Sequence, residues 1–169
     1  MKHSSQRVQS AWAALTKMVI AICVVGLAGC TNSDVSKVKA MKLDLDPSFT
    51  IGQAFDNRKV CDSVKWDTIS TPRGRKLVEY RCKLKDVKKS DLSMAPTPNP
   101  IVKVGEVFQW SVGNDGPPVL AYTGYEITYQ DGQTGDQDAD VDAIMKVIIN
   151  NNVSTFQQYN NQYSQFKNQ

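Results

Sequence analysis

The sequence predicts an α+β domain in which a short N-terminal helix precedes a four-stranded, mainly antiparallel sheet and a C-terminal helix. Three observations support this class. A capped helix start lies near residue 50, four segments of strand character follow between residues 64 and 129, and apolar residues at helical spacing fill 138–166. With 169 residues, the chain has room for one compact domain, which we place at residues 47–149.

The first helix is predicted from its cap. Thr50 at the N-cap and Gln53 three residues later have the spacing of a capping box, and a helix of about 8–11 residues is expected to follow. Gly52 weakens this helix by about 1 kcal/mol.

The strands are predicted at residues 64–70, 76–85, 106–112 and 119–129, with a turn at 71–74 and a proline-rich loop at 90–100. The second strand shows the strongest alternation. Its apolar face comprises Val78, Tyr80, Cys82 and Leu84, and its other face is charged.

Two apolar stripes predict one C-terminal helix or a pair, separated by the asparagines at 150–152. The second stripe belongs to an Asn/Gln-rich helical tail at residues 150–169. Its members are Phe156, Tyr159, Tyr163 and Phe166. Self-association through this stripe is one hypothesis for the tail.

Residues 1–29 have the pattern of an export signal. Lys2, Arg7 and Lys17 precede an apolar run at 18–29, which is shorter than the ~20 residues of a membrane span. The run ends in Leu27-Ala28-Gly29-Cys30, which resembles the lipobox of bacterial lipoproteins. An uncleaved single-pass anchor is the alternative interpretation.

The lipobox resemblance implies cleavage before Cys30, a diacylglycerol on its thiol and an acyl chain on its new amino group, which together hold a domain at a membrane. Residues 30–46 are then the lipidated cysteine and a flexible tether. Thr31, in place of Asp, favours the periplasmic side of the outer membrane by the same resemblance. The outer leaflet of the inner membrane and the cell surface are the alternatives.

Removal of the signal changes the charge. The whole chain carries a formal charge of +3, but the signal holds three of its 20 basic residues and none of its 17 acidic ones, so the exported chain is neutral. The signal also contains His3, the only histidine, which excludes Ser-His-Asp and Cys-His nucleophiles and imidazole-ligated zinc. Nucleic acid is not an expected partner, and no cofactor is predicted.

Cys61 and Cys82 are the cysteines that remain outside the signal and the lipidation site. In an exported domain they predict one disulfide, worth about 3 kcal/mol in the chain-entropy model; two free thiols are the alternative.

The segment Thr50-Ile51-Gly52-Gln53-Ala54-Phe55-Asp56-Asn57 is similar to the pattern T-x-G-x-A-F-(D/E)-N near the start of many small bacterial lipoproteins. Trp66, Val78-Glu79 and Phe108-Gln109-Trp110 match its later positions, so the resemblance covers residues 48–128. It implies a small extracytoplasmic α+β module with no catalytic activity attached to it. The cysteine pair and the Asn/Gln-rich tail depart from the pattern.

Two charged segments are candidate sites. A basic patch is predicted to meet anionic lipid headgroups, lipopolysaccharide or an acidic partner, with a solvated strand face as the alternative. It comprises Arg73, Arg75, Lys76, Arg81, Lys83 and Lys85. The acidic segment at 131–142 has the Asp spacing that begins a calcium loop, but Val141 and Val147 replace the required Gly and Glu. An acidic loop that enters a helix is therefore favoured, and no metal is predicted.

These observations favour a lipid-anchored, non-enzymatic module that binds or assembles another envelope protein or component. The alternative is a hydrolase of peptidoglycan or envelope glycans that works without histidine. Such an enzyme requires two facing carboxylates from a set such as Glu79, Glu106 and Glu126.

Overall fold

The computed structural model of the protein describes residues 33–90, 92, 98–113 and 116–169. Within these residues, strands form one antiparallel sheet in chain order: β1 (Cys61–Ser70), β2 (Lys76–Leu84), β3 (Ile101–Ser111), β4 (Val119–Tyr129) and β5 (Thr134–Asp138). The helices are α1 (Ser33–Ala40), α2 (Ile51–Asp56), α3 (Val141–Asn150) and α4 (Phe156–Lys167), and a 3-10 turn covers Val87–Lys89. The α+β class and the antiparallel sheet are confirmed.

The predicted number of four strands is wrong, because β5 adds a fifth at the edge beside β4. Its sequence, TGDQD, lacks the alternating apolar residues that mark a half-buried strand. Backbone pairing with β4 holds it, with Asp136 opposite Glu126 and Asp138 opposite Gly124. Gly132 makes the preceding turn at φ +87°. An acidic edge strand of this kind discourages pairing with other chains.

The core lies between the sheet and the helices and is built around aromatic rings. Trp66, Tyr80 and Phe108 lie side by side on β1, β2 and β3. Phe55 of α2 packs edge-on to Tyr80 and to Phe108, with 4.9 Å between ring centroids in both pairs. Because each such ring buries roughly 150–250 Å², this cluster fixes α2 over the middle of the sheet.

Helix α1 departs from the flexible tether predicted for residues 30–46. Val38 is fully buried (0% exposed), and Leu43, just after the helix, is also in the core. Lys42 forms a β-bridge with Thr50, and Asp34 accepts a hydrogen bond from Lys76 Nζ at 3.1 Å. The folded unit therefore begins well before residue 47, because Val38 and Leu43 are part of the same hydrophobic core as the sheet.

The predicted capping box of α2 is confirmed. Thr50 Oγ1 accepts from the Gln53 backbone N–H at 3.2 Å, and the Thr50 N–H donates to Gln53 Oε1 at 2.8 Å. The helix has six residues, fewer than predicted. Gly52 has a packing role, because a Cβ at this position would lie 3.1 Å from Lys39 Cβ. The glycine thus lets α1 approach α2 closely.

The C-terminal region forms two helices, separated where the asparagines predicted a break. Asn151 ends α3 in the left-handed conformation at φ +40°, and Thr155 caps α4 by accepting from the Gln158 N–H at 3.3 Å. Phe156 and Tyr159 of α4 are buried in the same core as the sheet. The segment predicted as a separate tail is therefore part of the domain, and half of its aromatic stripe is already covered.

The predicted disulfide is confirmed. Cys61 and Cys82 are bonded, with 5.4 Å between their Cα atoms, and both are buried. The bond ties the start of β1 to the end of β2, on the face of the sheet that the helices cover.

Candidate functional site

An apolar groove is the strongest candidate for a binding site among the described residues. It is a cavity of about 470 Å³ between the α1–α2 connection, the start of β4 and one side of α3. Leu45, Val119 and Val141 line it and are 50%, 63% and 40% exposed. Only two other large apolar side chains of the described residues, Phe49 and Leu92, are exposed. Exposed apolar groups gathered in one concave place are typical of a binding surface.

The walls of the groove follow from local sequence. Val141 opens the amphipathic helix α3, whose Ile144 and Ile148 face the core, so that Met145 and Ile149 are left half-buried along the groove. The buried ring of Trp110 contributes to its floor.

The rest of the lining contains two prolines and three charged residues. Pro117 and Pro118 restrict the backbone just before Val119. Lys42, Asp44 and Asp142 also line the cavity. The lining of the groove thus combines apolar side chains with charges of both signs, as the surfaces of many protein interfaces do.

A second notable cluster lies inside the core and is polar. Arg58 and Glu106 form a two-pronged ion pair, in which Arg58 Nη2 donates to Glu106 Oε2 at 3.1 Å and Arg58 Nη1 to Glu106 Oε1. The Tyr159 hydroxyl donates to Glu106 Oε2 at 2.6 Å and lies 2.7 Å from the Tyr125 hydroxyl. Glu106 is fully buried and Arg58 is buried with it.

Burial controls the protonation of this cluster. The pKa values of Tyr159 and Tyr125 are raised well above the usual value of 10. Burial away from water is the main cause, and the negative charge of Glu106 is the second. For Arg58, burial acts to lower the pKa, but the charge of Glu106 outweighs it and raises the pKa. Tyr80, which donates to the Phe55 carbonyl at 3.1 Å, also has its pKa raised by burial.

This cluster is suited to organising the core and not to chemistry on a substrate. Both carboxylate oxygens of Glu106 are engaged, Glu106 is fully buried, and Arg58 is only 5% exposed. A buried pair of this kind adds little net stability over apolar residues, but removal of one partner leaves an unpaired buried charge.

The sequence could have indicated where Glu106 lies. It is two residues before Phe108 and four before Trp110, so strand alternation places all three on one face. No sequence signal pairs it with Arg58, which lies 48 residues away. Sequence reasoning therefore missed the cluster.

The predicted basic patch does not form one surface. Arg73 and Arg75 are exposed in the β1–β2 turn, with Lys76 beside them, whereas Lys83 and Lys85 lie toward the other end of β2. The rise of about 3.3 Å per residue separates Lys76 from Leu84 by roughly 26 Å.

Most of these cations have partners within the chain. Lys76 pairs with Asp34 at 3.1 Å, and Lys83 pairs with Asp62 at 2.6 Å. Lys85 Nζ donates to the Lys59 carbonyl at 2.8 Å. The solvated strand face, which was the alternative interpretation, describes much of the patch.

The three strand carboxylates are not brought together. Glu79 and Glu126 lie on the face of the sheet away from the helices, where both contact Arg81: its Nε donates to Glu79 at 2.6 Å and its Nη1 to Glu126. Glu106 lies on the opposite, buried face. Arg81 thus bridges a buried carboxylate, Glu79 (5% exposed), and a partly exposed one, Glu126.

The acidic segment at 131–142 is a strand and a helix cap instead of the predicted loop. Asp136 and Asp138 are in β5, and Asp140 caps α3 by accepting from the Ala143 N–H at 2.9 Å. Across the described ranges, no group of three or more His, Cys, Asp or Glu side chains could hold a metal ion.

The motif residues that resemble a lipoprotein pattern serve the fold. Thr50 caps α2, and Gly52 lets α1 approach it. Asp56 accepts hydrogen bonds from Trp66 Nε1 at 2.8 Å and from Lys39 Nζ at 2.9 Å. The Asn57 carbonyl accepts from Asn151 Nδ2 at 3.1 Å, which ties α2 to the end of α3. The pattern therefore marks a structural junction between α1, α2, β1 and α3.

Comparisons with protein-family models, with curated proteins and with solved structures gave no match for this chain. The predicted lipidation site, Cys30, and the predicted signal at 1–29 lie outside the described residues. In the part of the chain that is described, no helix is long and apolar enough to cross a membrane.

Proposed function

We propose that the protein is a lipid-anchored cell-envelope protein that acts as a non-enzymatic binding module, and that it binds an apolar segment of another envelope protein in the groove. The observation that carries this proposal is the convergence of exposed Leu45, Val119 and Val141 on one cavity. The sequence Leu27-Ala28-Gly29-Cys30 supports the anchor and a position on the periplasmic side of the outer membrane.

A peptide segment suits the groove better than a small molecule with its own charge. The volume of about 470 Å³ is enough for a few apolar side chains. The lining offers both a cation, Lys42, and the anions Asp44 and Asp142, which suit the mixed polarity of a peptide backbone.

The groove can be tested with a photoreactive amino acid placed at Leu45 or Val119 in intact cells. The matched control is Lys65, which is exposed on the far face of the sheet and whose side chain is 72% accessible. We expect a discrete heterologous adduct from the groove positions and none from position 65. Adducts between copies of the chain would instead assign the groove to self-association. Equal labelling at the groove positions and at position 65 would refute the groove as a binding site.

The captured partner must then bind in purified form. Burial of a Val or Leu side chain stabilises a complex by about 1.5–3 kcal/mol, so Val119→Asp is expected to raise Kd at least about ten-fold. An unchanged Kd would show that the groove does not carry the interaction.

The anchor is tested separately, by the mass of the N-terminal peptide from cell envelopes. An N-terminal peptide that begins at Cys30 and carries the mass of acyl chains is expected. A chain that retains residues 1–29 with an unmodified Cys30 would favour the uncleaved single-pass anchor.

A further inference from the structure

Helix α1 shortens the connection between the proposed lipid and the folded domain. The first described residue of the domain, Ser33, is three positions after Cys30. Three residues span at most about 10 Å even when fully extended. If the lipid on Cys30 is in the bilayer, the start of α1 must therefore lie within about 10 Å of the membrane surface.

The β1–β2 turn lies next to this start. The ion pair between Asp34 and Lys76, at 3.1 Å, joins the first turn of α1 to the first residue of β2. The turn that contains Arg73 and Arg75 immediately precedes Lys76, and it is closed by the Thr71 N–H, which donates to the Arg75 carbonyl at 2.8 Å. Lys37, whose side chain is 61% exposed, lies one helical turn after Asp34.

These residues form a basic surface, which we call the anchor-proximal pole: Lys37, Arg73, Arg75 and Lys76. Asp34 offsets one of their four charges, which leaves a local charge of about +3. Arg73 and Arg75 are exposed, and neither forms an ion pair with another described residue. Such a cluster attracts anionic headgroups when it lies within a Debye length, about 8–10 Å, of the surface.

We propose that the anchor-proximal pole faces the membrane and binds anionic phospholipid headgroups, so that the domain sits on the bilayer in one orientation. This inference rests on the lipid anchor of the proposed function. An acidic protein partner is the competing occupant, and the headgroups are favoured because the short connection brings this pole to the bilayer.

The orientation can be measured by trypsin cleavage of the lipidated protein, because trypsin cuts after exposed Arg and Lys. The β1–β2 turn offers Arg73 and Arg75, while Lys88 and Lys89 are exposed toward the other end of β2 and serve as an internal control. In vesicles that contain phosphatidylglycerol, we expect slower cleavage at the turn than in detergent micelles, with no change at the control sites. Equal slowing at both ends, or none, overturns the orientation.

The lipid chemistry is tested by flotation of the Cys30→Ser protein, produced without the signal, with vesicles of phosphatidylglycerol and phosphatidylcholine or of phosphatidylcholine alone. Each basic residue near an anionic surface contributes about five-fold to partitioning, so Arg73→Gln with Arg75→Gln is expected to reduce it about 25-fold. The control, Lys88→Gln with Lys89→Gln, should retain partitioning. Binding that neither lipid charge nor the turn substitutions affect overturns the proposal.

The two proposals fail in different ways. If mass analysis finds no acyl chain on Cys30, the anchor fails, but flotation still decides whether the pole binds anionic lipid. If Cys30 is acylated and the turn is cut freely on vesicles but not in whole envelopes, a protein partner covers the pole and the lipid proposal is overturned.

Discussion

The buried pair of Arg58 and Glu106 allows the strongest test of how this core is held. The Arg58→Met variant removes a fully buried cation and retains much of its apolar length, so the main change is electrostatic. The carboxylate of Glu106 then keeps one hydrogen bond, from Tyr159, and stays out of water.

The expected cost follows from the geometry. Breaking a buried pair by removal of one partner lowers the free energy of unfolding by about 3–5 kcal/mol, and Glu106→Leu should cost a similar amount because it leaves Arg58 unpaired. The double variant leaves no buried charge. Its main cost is the Tyr159 hydroxyl, which loses its carboxylate partner, so we expect only about 1–3 kcal/mol.

The assay is urea unfolding of the oxidised protein produced without residues 1–30, followed by the fluorescence of Trp66 and Trp110. The matched control is Lys65→Met, which removes a cation from an exposed pair with Asp67 at 2.8 Å and should cost no more than about 0.5 kcal/mol. The reasoning is refuted if Arg58→Met resembles this control, or if the double variant costs the sum of the single ones.

Three further predictions concern pH, redox state and packing. Burial raises the pKa of Tyr159 above its unfolded value of about 10, so the free energy of unfolding should be full below pH 10 and fall as the pH rises further. Each such tyrosine should contribute a fall of about 1.4 kcal/mol per pH unit. Urea titrations at a series of pH values should show a shallower fall for Tyr159→Phe, and an unchanged fall would contradict this. Reduction of the disulfide should lower the free energy of unfolding by about 3 kcal/mol in a urea titration with and without reductant, and coincident curves would show that the bond does not stabilise the fold. A Cβ on Gly124 would collide with the Tyr122 side chain and the Gln137 carbonyl, so Gly124→Ala should lower the free energy of unfolding by about 1–3 kcal/mol and speed amide exchange in β5. Gly116→Ala is the control and should change little, because a Cβ there lies in open space. Equal effects of the two substitutions would rule out the packing explanation.

Local signals account for the parts of the fold that were predicted. The capping box needs only residues three apart, and strand alternation needs neighbours two apart, so α2, β2 and β4 were found with small errors at their ends. β5 was missed because it carries no apolar face of its own. The strand β5 forms because the edge of β4 offers backbone donors and acceptors, with which β5 pairs.

Candidate sites were harder to predict, because they depend on which distant residues meet. The six cations of the basic patch are close in sequence. The extended geometry of β2 nevertheless places Lys76 and Lys83 toward opposite ends of this strand. The groove joins the α1–α2 connection, the start of β4 and α3, three segments whose adjacency no local pattern encodes.

The sequence by itself determined the class of fold, the disulfide, the helix cap and the break between the last two helices, because each depends on short-range geometry or on residue count. Only the tertiary structure decided that residues 33–43 and the tail belong to the core, that Glu106 meets Arg58, and that exposed apolar residues converge on one groove. Those outcomes depend on burial between segments tens of residues apart, where the free energy comes from water excluded by the assembled core and not from any one stretch of chain.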